Sequence, residues 1–115
     1  MRDTFSIEQE DYRILREKTI EMHLKNEVEK HGGKCIKFNS ASMRGLPDRI
    51  VLFSGGRILF VELKAPGKKP RAEQLRVHKM LRGLGAKVYV IDSKESVGRF
   101  IQNEVYTAQV PADCD

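Results

Sequence analysis

The chain has 115 residues, 40% hydrophobic and 32% charged, which suits one globular domain with a packed core and excludes disordered, collagen-like and low-complexity classes. Its longest apolar runs, such as Ile50-Val51-Leu52-Phe53, are four residues long, where a membrane-crossing helix needs about 20. The formal net charge is +5, and the excess is local: Lys64, Lys68, Lys69, Arg71, Arg76, Lys79 and Arg82 stand against the single acid Glu73 between residues 64 and 82. Such a field points to a polyanionic partner, nucleic acid before membrane, because no Trp and no strong apolar face accompanies the charges. A merely solvated basic face is the plainer alternative.

The acidic N-terminal stretch lacks the apolar segment of a signal peptide, so a cytoplasmic location is expected. Cys35 and Cys114 have no CxxC or Cys/His spacing that would suggest zinc, and no disulfide is expected between them.

In chain order, residues from about Glu8 to His31 are rich in helix formers and end at Gly32-Gly33. On that helix Ile20, Leu24 and Val28 share one stripe that must pack. Lys34 to Phe38 is a short strand candidate, followed by a polar loop to Gly45. Arg49 to Phe53 and Arg57 to Leu63 read as two strands joined at Ser54-Gly55-Gly56, a hairpin turn because both glycines tolerate positive φ. Pro66 and Pro70 bracket a basic loop, Arg71 to Arg82 is helical by composition, Lys87 to Ile91 is a fourth strand, and Lys94 to Asn103 a last helix. The order is αβββαβα: one α/β domain over residues 1–115, its core at about 8–103 with loose N-terminal and C-terminal ends.

Three features lie close together: Gly45-Leu46-Pro47-Asp48 before the second strand, Glu62-Leu63-Lys64 at the exit of the third, and Gln74 on the following helix. Pro47-Asp48 alone could be turn chemistry, and Glu62 with Lys64 could be a simple ion pair. But residues two apart in a strand face one side, and with apolar residues on both its faces this strand reads as central, so its charges are partly desolvated and call for a partner or a metal. Folding at Gly55-Gly56 brings Asp48 beside Glu62. Two carboxylates with a lysine alongside make a hard oxygen site suited to Mg²⁺ or Mn²⁺, the combination that phosphodiester hydrolysis needs.

Gly45-Leu46-Pro47-Asp48-Arg49-Ile50-Val51, Phe60-Val61-Glu62-Leu63-Lys64 and Gln74, in this order and spacing, resemble the VRR-NUC family of the PD-(D/E)XK nuclease superfamily, over about residues 17–101. The resemblance implies a restriction-endonuclease-like αβββαβ core with a mixed four-stranded sheet flanked by helices. It also implies Mg²⁺ or Mn²⁺ held by Asp48, Glu62 and the backbone carbonyl of Leu63, hydrolysis of DNA, and, as in stand-alone members similar to Holliday-junction resolvases, a homodimer acting on branched or junction DNA.

The family also places a Glu on the first helix, where Glu17 and Glu21 are available. At about 100° per residue Glu17 falls within the Ile20-Leu24-Val28 stripe and Glu21 toward its edge, which favours Glu17, with Glu21 as the alternative, as the acid that completes the metal site. Catalysis is therefore expected at Asp48, Glu62, Lys64, Gln74 and Glu17, and DNA phosphates at Lys68, Lys69, Arg71, Arg76 and Lys79. His23, His31 and His78 share no metal spacing and read as surface histidines, Ser42 has no adjacent base, and Cys35 reads as a small core residue. No glycine pair has the surroundings of a phosphate-cradling loop, so no nucleotide cofactor is expected. The rival reading is a non-catalytic DNA-binding module that uses the basic 64–82 stretch; it does not need the full set of acids and lysine.

Overall fold

The hydrophobic periodicities translate directly into a sheet covered by helices. The structure, a computed structural model, describes the backbone of residues 2–106 and the side chains from Leu15 to Tyr106. Cys114 and the C-terminal tail lie outside the described residues. Helix α1 (Arg2–Lys30) begins at Arg2 rather than at the expected Glu8, and turns Ile20, Leu24 and Val28 into the core as their spacing dictates.

Strands β1 (Lys34–Lys37), β2 (Arg49–Phe53) and β3 (Arg57–Leu63) follow as antiparallel neighbours. Helix α2 (Ala72–Gly83) then carries the chain to β4 (Val88–Ile91), which pairs parallel to β3, as a crossover connection requires. Helix α3 (Lys94–Ile101) starts at Ser93, whose side chain accepts the backbone N–H of Ser96. The last helix, expected to run to Asn103, changes at Gln102 into a π-helical turn that ends at Tyr106.

The sheet order is β1-β2-β3-β4, so β3 is internal. Its Leu59, Val61 and Leu63 join Val51, Phe53, Ile91 and Phe100 under α1 and α3. The opposite face is covered unevenly: α2 lies over the Glu62 end, while Ile58 is 56% exposed. The β2–β3 turn holds Gly55 and Gly56 at φ 84° and 74°, the left-handed pair that a tight hairpin turn requires. Among the described residues no helix is long and apolar enough to cross a membrane.

Candidate active site

The hairpin register decides which acids meet. Arg49 pairs with Val61, so Asp48, one residue before β2, stands across from Glu62 near the end of β3. The Oδ1 of Asp48 accepts the backbone N–H of Leu63 at 3.1 Å, and its main-chain carbonyl accepts the N–H of Phe38 at 3.1 Å. Its side chain keeps 34% exposure. It is therefore anchored and still open to a ligand.

Gly45 makes this approach possible. It adopts φ +88°, and a Cβ there would stand 2.9 Å from the carbonyl oxygen of Glu73 and 3.0 Å from Val77 on α2. Any larger residue would push the Gly45–Asp48 loop away from the helix that covers Glu62.

Glu62 is 4% exposed. Its Oε2 accepts Nε2–H of Gln74 at 3.0 Å and lies 3.8 Å from Nζ of Lys64. Gln74 is at the third position of α2, and its Oε1 accepts the backbone N–H of Arg71 at 2.9 Å. One side chain thus caps a helix start and holds a carboxylate. Burial pushes the Glu62 carboxyl up to about 7, and the charge of Asp48 adds to the rise, against the opposing pull of Lys64 and Gln74.

Two neighbours escaped the sequence reading. His78, expected at the surface, is fully buried, with Nε2 3.8 Å from Oε1 of Glu62. Its place one turn after Gln74, on the same helical face as Val77, was the available signal. Arg49 is the second. Strand alternation sets it beside Val51 and Phe53 on the core side, an unusual place for a guanidinium. It is buried, and pairs with Oδ2 of Asp48 at 3.1 Å and with Glu21 of α1. Away from the site, His31 also departs from the expected surface placement: it is partly buried, with Nδ1 2.9 Å from the carbonyl of Glu27 and Nε2 3.0 Å from the Tyr106 hydroxyl.

Through Arg49, Glu21 is the first-helix acid in side-chain contact with the site, whereas Glu17, partly buried, makes no ion pair or hydrogen bond among the described residues. Lys68, Lys69, Arg71, Arg76 and Lys79 are all exposed, on the loop after β3 and along the outer side of α2. Arg82 instead donates to the carbonyl of Val88 at 2.7 Å. Cys35 packs against the core, and burial pushes its thiol up to about 11, the state of an inert core residue.

Among the described residues no three His, Cys, Asp or Glu side chains converge tightly enough to hold a metal by themselves. Mg²⁺ does not require that, since it commonly keeps several waters and takes one or two carboxylates plus substrate oxygens. The donors fit such an ion. Asp48 and Glu62 are hard oxygen ligands, and buried Oε1 of Glu62 has no hydrogen-bond partner among the described residues.

No family model matches the chain. A curated relative from Acyrthosiphon pisum secondary endosymbiont phage 1, named "Putative nuclease p44", is 52% identical over 83 residues, which is 72% of this chain and 89% of the relative. A solved structure described as a VRR_NUC domain superposes with a TM-score of 0.73 at 33% identity, over 77% of this chain and 97% of its own. The mixed four-stranded sheet flanked by helices is the restriction-endonuclease-like arrangement of that fold. Given an identity of 33% across almost the whole of the solved domain, this chain belongs to the VRR-NUC family of nucleases.

Proposed function

We propose that this chain is a divalent-metal-dependent DNA endonuclease. The observation that carries the reading is a buried Glu62 facing a ligand-accessible Asp48 where β3 ends, with Lys64 alongside. In this reading Asp48, Glu62 and the Leu63 carbonyl would hold Mg²⁺ or Mn²⁺, which when bound neutralises the phosphate and lowers the pKa of an attacking water. Lys64 orients that water or steadies the charge that develops on phosphorus. Gln74 keeps Glu62 in place. Glu21 rather than Glu17 serves as the first-helix acid, acting through Arg49 on Asp48. Lys68, Lys69, Arg71, Arg76 and Lys79 hold the strand through its phosphates, since no aromatic side chain stands among them to stack on bases.

The substrates we infer are branched: flaps, nicked duplexes and four-way junctions. Each chain carries one such site, and paired cuts across a junction need two, so the working form is a homodimer with an isologous interface. The test is incubation with duplex, nicked, flap and four-way-junction DNA, with Mg²⁺ or Mn²⁺ and with excess EDTA, while light scattering reports the mass. Metal-dependent cleavage concentrated on branched DNA, by a dimer, is expected. Cleavage that survives EDTA overturns the metal, equal cleavage of plain duplex overturns the selectivity, and a monomer that cuts junctions in pairs overturns the dimer. Binding without any cleavage would make the chain a DNA-binding module.

A further inference from the structure

We propose that His78 is a positioning residue that fixes the carboxylate plane of Glu62 from the side opposite Gln74; the inference rests on the reading of Glu62 as a metal ligand. Gln74 and His78 are four residues apart on α2, so both project from one face of the helix. That face lies over Glu62, and the two side chains divide its oxygens. Gln74 donates to Oε2 at 3.0 Å, while Nε2 of His78 stands 3.8 Å from Oε1.

Three buried polar atoms have no hydrogen-bond partner among the described residues, and they are Oε1 of Glu62 with Nδ1 and Nε2 of His78. A donor and an acceptor that are both withdrawn from water and face each other across slightly more than hydrogen-bond distance have nowhere better to turn. A small rotation of the carboxylate about the Gln74 contact joins them. With the proton on Nε2, His78 donates to Oε1 and only the acceptor Nδ1 stays bare, the better tolerated kind of orphan. Donors on both oxygens then hold the carboxylate in one orientation, which is what outer-shell partners do for ligating acids, at a typical cost of 10- to 100-fold in metal affinity when they are lost.

Nitrogen-15 NMR of the histidine-labelled, metal-free protein should find Nε2 of His78 protonated; a ring protonated on Nδ1 alone overturns the proposal, whatever the protein does with metals. Calorimetric titration with Mn²⁺ should then give His78→Leu an affinity about tenfold or more below wild type, with His78→Gln, which keeps an amide donor, recovering part of the loss. A folded His78→Leu protein that binds Mn²⁺ as wild type does overturns the proposal. If His78→Leu does not fold, the decision passes to His78→Gln and the wild-type spectrum: a bare Nε2 overturns the proposal, and a protonated one that shifts on adding diamagnetic Mg²⁺ supports it. Wild-type protein that binds no Mn²⁺ refutes the metal reading itself, and leaves the spectrum to judge His78.

Discussion

Glu104 and Glu62 are both withdrawn from water, at 1% and 4% exposure, yet only Glu104 is fully provided for. It lies under the α1 and α3 face, where Arg57 donates to Oε1 at 2.7 Å, Lys87 approaches Oε2 to 3.2 Å and the Tyr89 hydroxyl donates to Oε2. Burial alone would raise its carboxyl, but the bonds from Tyr89 and Lys87 and the charge of Lys87 outweigh it, and Glu104 is held below the ordinary carboxylate range. Glu62, on the other face and toward the other end of β3, has one hydrogen bond, an unmatched oxygen and a second acid beside it, and its carboxyl goes the opposite way. A buried charge with matched partners builds the fold. One left short of matching charge, at the end of an internal strand, keeps its oxygens available to a ligand.

The sharpest way to break this contrast is to neutralise each acid in turn. Glu62→Gln should lower cleavage about 100- to 1,000-fold and leave thermal unfolding of the metal-free protein unchanged or raised. Glu104→Gln should keep cleavage within a few-fold of wild type while costing about 2 kcal/mol of stability, because Tyr89, Arg57 and Lys87 are left without a charged acceptor. Reversed outcomes in chemical denaturation and cleavage assays would mean that the roles of the two sites have been exchanged.

A pH series sharpens it further. Glu62 titrates near 7 in the folded protein against an ordinary value of 4.5, so between these limits the native state binds the extra proton and stability falls as pH rises. The penalty is absent below 4.5, complete above 7, and at most about 3 kcal/mol. His78, held below its ordinary value by burial, tilts the curve the other way, so the difference between wild type and Glu62→Gln is the quantity to plot. That difference should open from pH 4.5 to 7 in metal-free protein and shrink when Mn²⁺ is added. A flat difference would show Glu62 to be solvated like a surface acid.

Arg49 offers a smaller effect. Arg49→Met should cost about 1–2 kcal/mol, since its two partners are only part-buried and regain water. It should also weaken Mg²⁺ dependence of cleavage by freeing Asp48. Glu21→Gln should follow it part of the way and Glu17→Gln hardly at all; a larger Mg²⁺ shift for Glu17→Gln would return the role to that residue. Smallest of all is the salt response. Removing Lys68 and Lys69 should flatten the dependence of DNA binding on log salt by about 0.9 for each phosphate no longer neutralised, whereas Lys87→Ala, in the Glu104 cluster, should leave the slope alone.

Much of this was legible in the residues because the signals were local. Alternation set the limits of Arg49–Phe53 and Arg57–Leu63, the two glycines fixed the turn, and together they placed Asp48 beside Glu62. What stayed hidden depends on contacts far apart in sequence. His78 looks like any polar helix residue until α2 is known to lie over β3, and Arg49 becomes intelligible only with Glu21 on the other side of it. Angles around one helix put Glu17 in the apolar stripe, but they cannot say how far along its axis the site lies. Glu104 left no mark at all, since its partners come from β3, β4 and the residue before β4.

The tight glycine turn between β2 and β3 makes the spacing of the two acids a matter of parity. Lengthening the loop at Gly55-Gly56 leaves each strand opposite its partner, so insertions there are absorbed. One residue added inside Arg57–Leu63 does not disappear in this way: it reverses the facing of every later position, sending Glu62 toward the apolar side and bringing Val61 or the added residue to Asp48. Among variants with added or missing residues, this hairpin should therefore tolerate change at its tip and refuse single steps along its arms.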